Sequence, residues 1–288
     1  MTVNKGLREE NMYRIIACDL DETLLKHDKT ICEENIRAVK ALKDHDIWFV
    51  PTTGRAFRTV DPVIRALGLD EPGQYVISYN GGAITDNQDH RLLYHEGIPF
   101  DLAEELFQRG KRYDVCMHIY TKEKVYGYNI PQFEIDYLKG RVTLIPILDN
   151  TLGFLKGQEI MKIIYMNLDY DYLFSIESEM DDLKDGLTIS YSSGRYMEFN
   201  HHGVSKGAGL LRLAELLDVK PEETIAIGDN LNDLSMIRMA GFGVGVANTV
   251  TDMKKDCDFI TRADCNNGAV AEVIDRFVLG PLNAAAEA

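Results

Sequence analysis

The feature that most restricts the fold of this chain is a series of short apolar runs, separated by helical patterns and each ending on polar or small residues. Tyr13–Cys18 (YRIIAC), Ile47–Pro51 (IWFVP), Tyr75–Ser78 (YVIS) and Thr224–Ile227 (TIAI) are strand-length and apolar at nearly every position. Strands of that kind are buried on both faces, as in a parallel sheet covered by crossover helices. Glu33–Lys43 spaces Ile36, Val39 and Leu42 as a helix does, and Phe57–Leu67 repeats this with Val60, Val63, Ile64 and Leu67. Leu210–Leu217 and Leu231–Ala240 continue the helical pattern, while Phe242–Val246 and Phe259–Thr261 offer short further strands. Strand and helix in alternation predict an α/β domain with a parallel sheet.

The alternation is interrupted from about Leu93. Asp101–Lys111 reads as a helix, but strand pairs follow: Val115–Tyr120 and Val125–Asn129 flank a polar turn, and Thr188–Tyr191 and Tyr196–Phe199 flank a Ser-Ser-Gly turn, with Ile160–Asn167 between the pairs. Ten of the fourteen tyrosines fall between residues 95 and 196, a bias that suits strands and also suits ligand stacking. The expected organisation is an α/β core made of residues 1–92 and 197–288, split by an inserted α+β module over 93–196.

At 288 residues there is material for a sizeable core. A formal net charge of −15 argues against nucleic-acid partners and anionic membranes, since both recruit basic faces. The five cysteines form no CxxC pair, so a disulfide framework or zinc site is not expected, and a reducing, cytoplasmic setting is. The stretch MTVNKGLREEN lacks the apolar segment of a secretion signal, no run approaches membrane-spanning length, and both this stretch and the tail LNAAAEA read as loosely packed ends.

In an open parallel sheet, ligands sit beyond the carboxyl ends of the strands. The polar residues collected there are Asp19 and Asp21 after the first run, Thr53-Gly54-Arg55 after the second, Asn80-Gly81-Gly82 after the third, and Gly228-Asp229-Asn230-Leu231-Asn232-Asp233 after the fourth. Lys206 opens the helix leading into that fourth run. Acids, hydroxyls, amides, glycines and a lysine suit a hard cation together with a phosphate. A lone DxD is weak evidence; four such elements in order at strand ends are strong.

These elements resemble the motif set of the haloacid dehalogenase superfamily of phosphohydrolases, and more narrowly its Cof-type branch with a large inserted cap. The likeness covers almost the whole chain: DLDETLL, TTGR, NGG, the YTKEKVYGYN hairpin, GVSKG, GDNLND and NNGAVAEVI. It implies a Rossmann-like parallel-sheet core with an α+β cap that sets specificity, and a Mg²⁺-dependent phosphomonoester hydrolase for a small phosphorylated metabolite such as a sugar phosphate. Matched position by position, it implies Asp19 as nucleophile and Asp21 as general acid/base. Asp19, Asp21 and Asp229 would form the metal site, with Asp233 supporting it. Leu20 (through its main chain), Thr53, Gly54, Lys206 and Asn232 would hold phosphate. Asn80 and Gly81 would shape the floor of the site, Asn80 being the best candidate there for a substrate contact. Arg55 would either steer phosphate or pair with an acid.

Two positions depart from the family pattern. Glu22 stands where many relatives have glycine, and ordinary backbone angles are expected there because glutamate takes positive φ only at a cost. His201 and His202 replace a more usual proline-containing stretch and read as a solvent-facing turn or as a ligand contact. Cys18 and Trp48 read as packing residues. A phosphomutase or phosphotransferase using the same aspartyl-phosphate, and a non-catalytic metabolite-binding regulator on the same scaffold, are the competing functions. The sequence leaves the oligomeric state open.

Overall fold

The computed structural model describes residues 13–286, so the reading of the first dozen residues as a loose end lies outside it. In chain order the strands are β1 (Ile15–Cys18), β2 (Trp48–Pro51), β3 (Tyr75–Ser78), β4 (Ala83–Asp86), β5 (Leu92–His95), β6 (Cys116–Thr121), β7 (Val125–Tyr128), β8 (Leu144–Pro146), β9 (Ile160–Met166), β10 (Leu187–Ser192), β11 (Tyr196–His201), β12 (Thr224–Gly228), β13 (Phe242–Gly245) and β14 (Phe259–Ile260). No helix among the described residues is long and apolar enough to cross a membrane. All five cysteines are free thiols.

The parallel sheet has the order β14-β13-β12-β1-β2. β1 is fully buried and lies between β12 and β2, with Cys18 level with Ile227 on one side and Pro51 on the other. Chain order therefore reverses beside β1, which places the crevice of an open α/β sheet at the carboxyl ends of β1 and β12. Helices Glu33–Ala41 and Ala269–Ile274 pack on one side, through Val39, Val270 and Ile274, and helices Lys206–Leu216 and Leu234–Met239 on the other, through Leu210, Leu213 and Ile237. The YVIS run is not a member of this sheet. β3 belongs to a separate antiparallel sheet, β3-β4-β5, tied to β2 by a bridge between Thr52 and Ile77. The tail is helical from Gly280 to Ala286, and Leu282 packs against the core, so the expectation of a loose end fails there.

The inserted region forms a six-stranded sheet, β10-β11-β9-β6-β7-β8. One face is covered by helices Phe100–Gly110 and Tyr170–Ser178, whose Leu106, Phe107, Leu173 and Ile176 pack on Met117, Ile163, Tyr165 and Phe199. The other face turns toward the parallel-sheet unit, where Tyr120 meets Tyr79 edge-on, with ring centroids 6.4 Å apart. A boundary at 197 cuts this sheet: β11 pairs with β10 through His201 and with β9 from Tyr196 to Phe199, so the ladder keeps the whole strand with the insertion. Where the two crossings between the units run side by side, His201 Nδ1 lies 3.2 Å from Glu96 Oε1.

Candidate active site

Asp19 directly follows β1 and Asp229 directly follows β12, and the short turn after β12 carries Asp233; all three carboxylates are buried and offer oxygens within 4.8 Å of one another. Lys206 begins its helix with its side chain fully enclosed, and its Nζ donates to Asp19 Oδ1 and to Asp233 Oδ1, both at 2.5 Å. Asp233 also accepts from the backbone N–H groups of Asp229 (2.9 Å) and Asn230 (3.1 Å) through Oδ2. Both of its oxygens are therefore engaged, which suits the supporting role expected of it. Thr23 donates to Asp229 Oδ1 at 2.8 Å, a second support that the sequence reading did not pick out.

Three buried acids face one ammonium, so negative charge is in excess. Burial and the neighbouring carboxylate of Asp233 push Asp19 up to about 7 in spite of Lys206. Burial, Asp233 and Asp19 push Asp229 up to about 9. A divalent cation would offset the surplus, and a set made only of carboxylate oxygens is the donor chemistry of a hard one.

Asp21 does not join this cluster. Its carboxylate is gripped by Arg55, with Nε at 2.9 Å and Nη2 at 2.5 Å, and by Lys29 Nζ at 3.1 Å. Burial pushes this carboxyl up, but Arg55 and Lys29 outweigh burial and hold it below the usual range. The expectation that the Asp21 side chain helps form the metal site is corrected accordingly: two cations compete for it. Arg55 thus pairs with an acid, one of its two anticipated roles. Glu22 is also corrected, since its φ is 61° rather than an ordinary negative value. The tight turn after Asp21 imposes this, with the Glu22 carbonyl accepting from Asn248 Nδ2 at 2.8 Å.

A cavity of ≈ 500 Å³ opens over the acids, and Asp19, Asp21, Thr53, Gly54, Arg55, Asp229 and Asn232 all line it. Thr53 is fixed on both sides, its N–H donating to Ile77 O (2.8 Å) and its carbonyl accepting from Asn80 N (3.0 Å). Its Oγ1 accepts from the Arg55 N–H. The Leu20 side chain is buried, and its N–H makes no hydrogen bond among the described residues. Asn80 and Gly81 do not line this cavity. Asn80 Nδ2 donates instead to Glu198 Oε2 (3.0 Å) and Asn200 Oδ1 (3.1 Å) on β11, so this side chain links the loop to the inserted sheet. Gly81 has φ 96°, and a Cβ there would stand 2.0 Å from the Ser205 carbonyl; only glycine allows this loop to meet the start of the Lys206 helix.

The far wall of the cavity comes from the insertion, through Tyr120, Tyr137, Arg141, Lys162, Ser192, Tyr196 and Glu198. None of these was singled out from the sequence. A signal was available in IMKIIYM, where Lys162 interrupts a strand that is otherwise apolar. His201 and His202 line a separate cavity of ≈ 240 Å³ that shares no residue with the first; His202 is exposed, as the solvent-facing reading expects.

Buried acids at the reversal point of a parallel sheet, clamped by a lysine and roofed by an inserted sheet, define a hydrolase of the haloacid dehalogenase type. The chain belongs to the haloacid dehalogenase-like hydrolases, whose family profile matches residues 16–274, and it is a phosphatase of the Cof type. Bacillus subtilis YxeH is 30% identical over 269 residues, covering 93% of this chain and 99% of its own. The 5-amino-6-(5-phospho-D-ribitylamino)uracil phosphatase YcsE of the same organism is 28% identical over 272 residues, covering 94% and 98%. The solved structure of a haloacid dehalogenase-like hydrolase from B. subtilis matches with a TM-score of 0.82 at 26% identity, over 91% of this chain and 99% of that one.

Proposed function

We propose that the protein is a Mg²⁺-dependent phosphomonoester hydrolase that releases inorganic phosphate from a small phosphorylated metabolite through an aspartyl-phosphate at Asp19. The observation that carries this reading is the clamp of Lys206 on Asp19 and Asp233 beside Asp229, at the end of β1 and β12. Asp19 and Asp229 would hold the cation, with Asp233 and Thr23 fixing the cluster. When bound, Mg²⁺ supplies positive charge that lets an anionic nucleophile approach an anionic phosphate.

Lys206 orients Asp19 by one oxygen, and the other attacks phosphorus in line while the P–O bond to the alcohol breaks. Thr53, Gly54 and Asn232, all lining the cavity, donate to the phosphoryl oxygens. Asp21 gives a proton to the departing alkoxide. The incoming phosphate competes for the Arg55 guanidinium, freeing the Asp21 carboxylate to hold that proton. Water then attacks the aspartyl-phosphate at phosphorus, Asp21 takes its proton, and phosphate leaves with Asp19 restored.

Residues from about 93 through His201 act as a cap, which restricts the site to small ligands and keeps bulk water out during the first step. The ribityl phosphate in the name of the YcsE relative supports a hydroxylated, sugar-like substrate. A hydrolysis screen over phosphorylated metabolites, with Mg²⁺ and with chelator, tests the reading. Phosphate release should require the metal and vanish in Asp19→Asn. Asp21→Asn should keep more of its first step on p-nitrophenyl phosphate, whose leaving group scarcely needs a proton, than on an alkyl phosphate. The acid–base contribution at stake is roughly 10²–10⁴-fold. Transfer to a second alcohol in place of water, or full turnover without metal, would reject the reading.

A further inference from the structure

We propose that Lys162, held in place by Glu198, reads the leaving group next to the phosphate and selects alcohols that carry hydroxyl groups near the ester. The proposal rests on the phosphatase reading above.

Lys162 lies in β9, where all seven residues are buried, and its side chain is 4% exposed. Burying an ammonium is costly, and a buried ion pair adds little stability over apolar residues of the same volume. Packing alone therefore gives no reason for a lysine here. Its Nζ donates to Glu198 Oε2 at 2.5 Å and lies 4.8 Å from the centroid of the Tyr120 ring. Among the described residues it has no other acceptor, so two of its three N–H bonds are unused. Glu198, in contrast, has both oxygens engaged within the protein: Asn80 also donates to Oε2, and the Ser192 hydroxyl donates to Oε1. The glutamate is the positioning group, and the lysine is the group with hydrogen bonds to offer.

The placement of Lys162 follows from an irregularity in the sheet. Tyr120 pairs with Lys162 but Thr121 pairs with Ile160, so Met161 is an extra residue in β9. Such bulges re-aim neighbouring side chains. The ammonium consequently stands against the loop expected to hold phosphate: a Cβ built on Gly54 would lie 3.6 Å from Lys162 Nζ. That same position lies 2.7 Å from Asn80 Oδ1, a buried oxygen with no hydrogen-bond partner. Lys162, Glu198 and Ser192 line the same cavity as Asp19, so a bound phosphate ester extends from the acids toward them.

Charge decides the chemical class. Glu198 neutralises Lys162, so the pair does not recruit a second anion. Free N–H groups on a neutralised pair donate to hydroxyl and ether oxygens, and the tyrosine rings at 120, 137 and 196 cover the carbon faces of a polyol or sugar.

The test compares kcat/KM for a panel of polyol and sugar phosphates with that for p-nitrophenyl phosphate, in wild type, Lys162→Met and Lys162→Met/Glu198→Gln. The double variant removes both charges; the amide oxygen still accepts from Asn80, the Ser192 hydroxyl can turn to accept from the amide NH2, and thermal melts verify folding. Both variants should lose roughly 10- to 100-fold on the best polyol phosphate, the worth of a hydrogen bond from a charged donor. The loss on p-nitrophenyl phosphate, which offers no hydroxyl to Lys162, should be smaller than the loss on the polyol phosphate by about 10-fold or more, the worth of that hydrogen bond. Equal losses on both substrates, no loss on the polyol phosphate, or a double variant that does not fold would each overturn the proposal. So would a wild type that hydrolyses p-nitrophenyl phosphate but no hydroxylated ester. A wild type inactive even on p-nitrophenyl phosphate would instead overturn the phosphatase reading itself.

Discussion

Glu22 occupies a left-handed turn that glycine would adopt freely. Its side chain is exposed, and its one anchoring contact, from Asn248, is to its carbonyl. A non-glycine residue in that region costs about 1–2 kcal/mol, while glycine gives back about 0.5–1 kcal/mol in unfolded-chain entropy. Glu22→Gly should therefore raise stability by about 0.5–1 kcal/mol, read from the urea midpoint, and leave kcat/KM within 2-fold, roughly what an exposed site allows. A loss of stability would show that the glutamate side chain contributes something its contacts do not reveal. At this scale the sequence was most legible where a residue was chemically out of place. Asp19 and Asp229 stand out because acids do not end buried strands without a function. Lys162 is equally out of place within IMKIIYM but lies mid-strand, where reading strand ends does not look. The φ of Glu22 was not legible, because backbone strain imposed by a tertiary turn leaves no mark in residue type.

Among the elements, the inserted sheet carries an unusual buried residue on the face that Lys162 shares. His118 on β6 has no exposed surface, and neither ring nitrogen has a hydrogen-bond partner. Glu134, the nearest acid, has its Oε1 3.6 Å from Nε2 and is already held by Arg195 and Tyr196. Burial, reinforced by Lys162 and opposed by Glu198, pushes His118 down to about 3. The folded pKa is then below the unfolded value of about 6.5, so between those values the unfolded state binds more protons and stability falls on acidification. By pH 5 this one group should cost about 2 kcal/mol relative to pH 7 or above. His118→Leu should remove that part of the pH dependence, seen as a smaller gap between urea midpoints at pH 7 and pH 5. An unchanged gap would mean that the ring gains a partner in solution. The elements of this region were the least legible. Helix Tyr170–Ser178 was not read from the sequence, although Asp169 caps it by accepting from Tyr172 N. Helix Gln132–Leu138 exposes Phe133 and Ile135, so it has no clean apolar stripe to find. β4 and β5 were not legible, because each is only four residues long and they pair with each other and with β3 rather than with the parallel sheet.

For the whole molecule, the alternation of apolar runs and helical patterns was enough to place the parallel sheet and its crevice, since each consecutive apolar run must be covered on both faces. The limits of the insertion were less legible, because a strand at a crossing carries no label for the sheet it joins; β11 is assigned only by its pairing. The crevice concentrates three buried acids in a chain of net charge −15, so cations of any kind should favour the folded state by screening. A cation bound specifically between Asp19 and Asp229 does more, since it binds the folded form and finds no such site in the unfolded chain. At 100 times its dissociation constant the gain is about 2.7 kcal/mol. For a chain of this size that should raise Tm by about 5 °C, using the lower end of the usual conversion. Mg²⁺ should therefore raise Tm in a saturable way beyond KCl at the same ionic strength. Asp229→Asn should abolish that excess and retain the KCl effect. If Asp229→Asn responds to Mg²⁺ as the wild type does, the stabilising cation lies elsewhere on the acidic surface, and the assignment of Asp19 and Asp229 as its ligands is wrong.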